Sequence, residues 1–187
     1  MHYIPGRHCL YRAYQYQCCD SMVKIFFDMD GVLADFSRGV KEMCGIETPD
    51  QSKEDKAADA DLFTRISHVD NFYLRLEPMD GMLELFDEVR SRHGDDVQIL
   101  TGVPRPEYNV PQASDNKKEW VKRYISGDVV VHTVRRREKQ DYAAGRDCYL
   151  IDDFRKNILE WEAAGGTGIL FEGVEKTRVK LYDLGIL

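Results

Sequence analysis

The chain has 187 residues, 33 acidic against 26 basic side chains, a formal net charge of −7 and a hydrophobic fraction of 43%. That length suits one well-packed domain with a small appendage and would cramp two full domains. The acidic balance, without a basic stretch interleaved with aromatics, argues against a nucleic-acid polymer as the main partner; no apolar run reaches the length of a membrane span.

Residues 1–21, "MHYIPGRHCLYRAYQYQCCDS", are rich in tyrosine and lack both clean periodicity and the sustained apolar core of a secretory signal. They are expected to be either a dispensable, disordered extension or the product of a start placed upstream of Met22, with a homodimer contact as another use open to them. Cys9, Cys18, Cys19, Cys44 and Cys148 are odd in number and lack zinc-site spacing. Reduced thiols in a cytoplasmic protein are the expected reading.

From Met22 the chain alternates strand and helix signals. "VKIFF" is a short apolar run that ends on Asp28, with Asp30 two residues on and then Gly31. A carboxylate is costly to bury unless paired, hydrogen-bonded or metal-bound, and a second one nearby adds repulsion. Residues 37–79 break the alternation with "GVKEMCG", the charged "DQSKEDKAADADLFTRI" and "NFYLRLEPMDG". At about 40 residues this segment is too small for an independent domain. It is expected to be a small helical cap leaning over the strand ends, with a plain structural excursion as the alternative.

The core is expected at 22–36 and 80–187. "MDGMLELFDEVRSRHG" predicts a helix capped by Asp80, with Met82, Leu83, Leu85, Phe86 and Val89 as its apolar stripe. "VQIL" is a strand ending at Thr101-Gly102. "SDNKKEWVKRYI" is a helix that turns Trp120, Val121, Tyr124 and Ile125 inward. "DVVVHTV" and "CYLIDD" are further strands, and the second ends at Asp152-Asp153. "RKNILEWEAAGG" is a helix closed by Gly165 and Gly166, and "GIL" is a last strand before a tail from Glu175.

Strands separated by helices predict an α/β fold with right-handed crossovers and a parallel sheet covered on both faces. Ligands in such sheets bind outside the carboxyl ends of the strands. Asp28, Thr101 and Asp152 each end a different predicted strand. Clustered carboxylates suit a hard divalent cation such as magnesium, and no HxxxH or paired CxxC motif points to catalytic zinc. An aspartate beside such a cation can attack a phosphate and form an aspartyl-phosphate. A neighbouring acid would move the protons, and a lysine and a hydroxyl would hold the phosphoryl oxygens.

"DMDGV", then "ILTG", a downstream lysine and "IDD" resemble the four ordered motifs of the haloacid dehalogenase-like phosphatases. "FFDMDGVLADF", "FYLRLEPMDGM", "KKEWVKRYI" and "YLIDDFRKNILEWEAAGGTGILF" look most like the 5'(3')-deoxyribonucleotidases, the cytosolic type C 5'-nucleotidase family. The resemblance implies a Rossmann-like three-layer sandwich with a cap inserted after the first strand. It also implies Asp28 as nucleophile and metal ligand, and Asp30 as general acid/base whose backbone carbonyl meets the Mg2+. Thr101 and the Gly102 amide would bind the phosphoryl group. Asp152 would complete the metal ligands, with Asp153 acting directly or through water.

Phe72 and Tyr73 match an aromatic pair that lines the family's nucleoside pocket, and aromatic faces suit base stacking. Core packing of the cap is the alternative for both. Lys139 stands where the family's phosphate-neutralising lysine is required, with Lys117, Lys118 or a nearby arginine as alternatives. Arg135, Arg136 and Arg137 read as a solvated charge run that could also draw an anionic substrate in. His68, His93 and His132 form no metal spacing, Trp120 and Trp161 read as core, and "AGGTG" lacks a P-loop lysine.

The expected activity is Mg2+-dependent hydrolysis of (deoxy)nucleoside 5'-monophosphates to nucleoside and phosphate. The rivals are a phosphatase of a sugar phosphate or other small phosphomonoester, a phosphotransferase, a non-catalytic binding protein on the same fold, and an interaction module working through the N-terminal extension.

Overall fold

A computed structural model of the chain describes residues 23–49 and 55–187. The extension expected at 1–21, with its thiols and any dimer contact, lies outside the described residues. Five strands form one sheet: β1 (Lys24–Phe27), β2 (Val97–Gly102), β3 (Val131–Val134), β4 (Cys148–Asp152) and β5 (Thr167–Leu170). Their order is β3-β2-β1-β4-β5, and every pair is parallel. Ile25 lies opposite Val97 and Tyr149, and Phe27 opposite Ile99 and Ile151. This is the α/β architecture that the alternating signals predict.

The strands read as continuous apolar runs because both faces are covered, and alternate residues feed two cores. Ile25, Phe27, Ile99 and Ile151 join one cluster with Leu85, Phe86 and Val89 of α3 (Met82–His93) and with Trp120 and Val121 of α4 (Ala113–Tyr124). Phe26, Leu100 and Leu150 join another with Ile158 and Trp161 of α5 (Arg155–Ala163). After β3 the chain returns to the other side of β1 and builds β4 and β5 outward from there. That reversal makes a topological switch point beside β1, where the carboxyl ends of β1 and β4 open a crevice.

Two expectations about local structure are corrected. The stretch from Glu175 is no tail: α6 (Val174–Asp183) buries Thr177 and Leu181, and the chain end follows with Ile186 and Leu187 also buried. Nor does Asp80 cap α3. Gly81 occupies the N-cap with a left-handed backbone, φ 74°, and no side chain caps the helix there.

Between β1 and α3 the chain leaves and re-enters the core through a narrow neck. Asp35 N–H donates to Glu77 O (2.8 Å), Met79 N–H donates to Leu33 O (2.8 Å), and Ala34 bridges Pro78. Beyond the neck lie α1 (Phe36–Cys44), α2 (Lys56–Ser67) and a 3-10 turn, Phe72–Arg75. The Trp120 indole donates to Leu76 O (2.8 Å), and the Phe63 ring stacks on Tyr108 with centroids 4.7 Å apart. The segment is therefore fastened to the core on two sides.

The turn after β1 is what aims its aspartates. Met29 O accepts from Leu33 N–H (2.9 Å) and Ala34 N–H (2.8 Å), which curls the chain tightly. Gly31 sits at φ 74°, and a Cβ there would lie 2.2 Å from Asp153 Oδ2. Only glycine satisfies both conditions. Gly31→Ala is expected to destabilise the protein by about 2 kcal/mol or more, from the left-handed backbone and the clash together. A urea unfolding midpoint equal to the wild type's would refute that.

Candidate active site

Asp28 follows β1 and is drawn to β4 by its N–H, which donates to Ile151 O (2.9 Å). Its Oδ1 accepts from Met29 N–H (2.8 Å), and its Oδ2 lies 2.9 Å from Lys139 Nζ. Asp152, at the end of β4, is fully buried. It accepts from Lys139 Nζ (2.6 Å), from Phe154 N–H (2.8 Å) and from the Asn157 amide at both oxygens (3.0 and 2.9 Å). Asp153 completes the group: Asp28, Asp152 and Asp153 each offer an oxygen within 4.8 Å of the others.

So much negative charge in a buried place perturbs its members. Burial pushes Asp153 up to about 8, helped by the Asp152 and Asp28 carboxylates. Burial likewise lifts Asp152 to about 6 against the opposing pull of Lys139. Burial alone would lower Lys139, but the Asp152 and Asp28 carboxylates outweigh it and hold the ammonium above the ordinary lysine range. Lys139 pairs with two of the three carboxylates, Asp28 and Asp152. An all-oxygen donor set of this kind fits magnesium, which favours carboxylate and water oxygens.

A second lysine completes the rim. Lys117, wholly buried on α4, donates from Nζ to Asp30 Oδ2 (2.6 Å), Thr101 Oγ1 (2.9 Å) and Gly102 O (2.6 Å). The same ammonium lies 4.6 Å from the centroid of the Tyr73 ring. Asp30 Oδ1 is shielded from solvent and has no partner among the described residues. Burial raises the Asp30 pKa, Lys117 lowers it, and the Asp28 charge raises it again. Asp30 thus stands outside the three-carboxylate group and faces the hydroxyl of Thr101 through a shared cation.

The sequence favoured Lys139, with Lys117, Lys118 or a nearby arginine as alternatives. Lys139 and Lys117 both reach the rim, whereas Lys118 is exposed on the outer face of α4. One signal for Lys117 was present. It lies three and four residues before Trp120 and Val121 and four after Ala113, so helical periodicity puts it on the inward face.

Above the rim opens a cavity of about 870 Å³, lined by Asp28, Asp30, Gly102, Lys139 and Asp153 at its base. Tyr73 lines it, but Phe72 does not: Phe72 is buried beneath, edge-on to Phe36 (5.7 Å) and Tyr73 (5.2 Å). Phe36, Phe63, Tyr108 and Phe154 supply the other aromatic lining. Sequence reading missed them, because a lone ring in a cap helix or a proline-flanked loop looks like ordinary packing. Among the described residues no helix is long and apolar enough to cross a membrane.

No family model matches the chain. It is 29% identical to the human 5'(3')-deoxyribonucleotidase, mitochondrial, in an alignment of 147 residues that covers 70% of this chain. The chain spans 62% of that relative's length. Two solved structures are similar at a lower level. A hydrolase from Streptococcus pneumoniae TIGR4 has a TM-score of 0.49 at 15% identity, covering 86% of this chain and 98% of the other. A Had-superfamily hydrolase from Ehrlichia chaffeensis has a TM-score of 0.48 at 13% identity, covering 87% and 97%. The resemblance to the 5'(3')-deoxyribonucleotidases read from the ordered motifs is borne out by the human relative.

Proposed function

We propose, for a chain that resembles the 5'(3')-deoxyribonucleotidases, that it hydrolyses phosphomonoesters through an aspartyl-phosphate on Asp28, with nucleoside 5'-monophosphates as the favoured substrates. The observation that carries this is the convergence of Asp28, Asp152 and Asp153 with Lys139 at the carboxyl ends of β1 and β4. Asp28, Asp152 and Asp153 would hold Mg2+, together with the Asp30 carbonyl. The cation would supply positive charge that offsets repulsion between the Asp28 carboxylate and the phosphoryl oxygens.

The chain's own residues then divide the work. An Asp28 carboxylate oxygen attacks phosphorus while the bond from phosphorus to the ester oxygen breaks. Asp30 gives its proton to the departing alkoxide, which leaves as the alcohol. Asp30, now a carboxylate, takes a proton from water as the water oxygen attacks the same phosphorus. The bond from phosphorus to Asp28 breaks, releasing inorganic phosphate and restoring both carboxyl groups. The Thr101 hydroxyl and the Gly102 amide hold phosphoryl oxygens, and Lys139 neutralises charge beside Asp28. Lys117 keeps Asp30 and Thr101 in register.

Asn157 orients Asp152 through its amide, and Arg136 in turn donates to Asn157 Oδ1 (3.0 Å). Supporting contacts of this kind fix a ligand carboxylate before metal arrives. The segment carrying α1, α2 and Tyr73 acts as a cap that excludes water and reads the substrate's leaving portion. A cavity of about 870 Å³ has room for a nucleoside beyond the phosphate. The proposed setting is cytoplasmic.

The test is phosphate release from nucleoside 5'- and 3'-monophosphates and sugar phosphates, with magnesium and with a chelator. Release from deoxynucleotides that stops on chelation and returns with Mg2+ is expected. Release confined to sugar phosphates would keep the chemistry and replace the substrate. Release unaffected by chelation would overturn the metal assignment.

A further inference from the structure

Resting on the reading of this site as a phosphatase, we infer that the preferred substrate carries a second anionic group, a phosphate or a carboxylate, set apart from the phosphoryl group removed. Arg135 and Arg137 bind it. The cavity is far larger than one phosphoryl group requires, and one stretch of its wall is the run Arg135, Arg136, Arg137 that follows β3.

The middle arginine is spent on structure. Arg136 pairs with Glu160 (2.7 Å), donates to Asn157 Oδ1 (3.0 Å) and lies over the Phe154 ring at 5.7 Å. Two positions on, Glu138 accepts from Arg135 N–H (3.0 Å), and Lys139 is buried in the rim. The backbone carrying Arg135 and Arg137 is therefore pinned on both sides. Their exposed side chains form no ion pair among the described residues. A guanidinium without an ion-pair partner among the described residues is available to an anion in the cavity, and two of them, two residues apart on an anchored backbone, can share one.

The other charges on the cavity wall leave this role open. Asp55 accepts from Ala57 and Ala58 N–H at the start of α2 (2.9 and 3.1 Å), and Glu107 pairs with Arg105 (3.3 Å). On the cap side of the wall Asp55 and Asp59 stand with one cation, Lys56, which leaves that side acidic. Guanidinium forks match phosphate and carboxylate geometry. A solvated charge run needs no cavity and no anchored backbone; this one has both.

The experiment is calorimetric binding of thymidine 5'-monophosphate and thymidine 3',5'-bisphosphate to Asp28→Asn protein, with and without Arg135→Gln/Arg137→Gln. The bisphosphate should bind about tenfold tighter or more, and the advantage should vanish with the arginines. A phosphorylated hydroxy acid set against the phosphorylated alcohol of equal length asks whether carboxylate serves instead. No advantage for either second anion, or equal losses for mono- and bisphosphate in the double variant, overturns the inference. Wild-type turnover, measured alongside, separates the two ideas. Hydrolysis of monophosphates without any second-anion preference leaves the phosphatase reading standing alone. An arginine-dependent preference without hydrolysis of any ester supports the anion subsite and removes the phosphatase reading.

Discussion

Asp28→Asn is expected to reduce phosphate release by at least about 10⁴-fold, the scale seen when a covalent nucleophile is removed. An amide is too weak a nucleophile to attack phosphorus. The fold should survive, since the Asp28 N–H bond to Ile151 O involves only backbone, and an Asn oxygen can still accept from Met29 N–H. Lys139 keeps Asp152 as its partner, so no buried cation is orphaned. Single-turnover phosphate release at saturating magnesium, with near-ultraviolet circular dichroism as the check on folding, makes the measurement. Saturation matters because Asp28 also belongs to the proposed metal site. A folded variant within tenfold of the wild-type rate would remove Asp28 as the nucleophile.

Asp28, Thr101 and Asp152 were legible because a polar residue at the end of a doubly buried strand is a local pattern, visible within six or seven residues. Three such patterns in one α/β chain point at one rim. The end of the chain was illegible for the opposite reason. "VEKTRVKLYD" buries only Thr177 and Leu181 among many charges, and its burial comes from packing on α3 and β5 that no window of sequence contains. Asp80 misled because Asp commonly caps helices, while Gly81 had already set the turn by adopting a left-handed backbone. The aromatic pair misled in part. Neighbouring residues in a 3-10 turn point in different directions, so Tyr73 reaches the cavity and Phe72 is buried beneath.

The two lysines raise the sharper question of why the site buries a second cation. Lys117→Met keeps the length of the side chain and removes the charge. It leaves Asp30 without its side-chain partner among the described residues, and Thr101 Oγ1 and Gly102 O without that donor. Breaking a buried pair from one side is expected to cost about 3 kcal/mol. Asp30→Asn alone should also destabilise, by leaving the Lys117 ammonium without its carboxylate. In the double variant neither charge is stranded, so the combined cost should fall below the sum of the singles by about 2 kcal/mol. Urea unfolding of the four proteins, without substrate or metal, measures this coupling. Additive costs would mean that Lys117 is simply a core lysine with no hold on Asp30. A strong coupling means that the position of the proposed acid depends on a cation from α4. The cap, the core helix and the aspartate turn then share one electrostatic joint, because that same ammonium also lies against the Tyr73 ring of the cap.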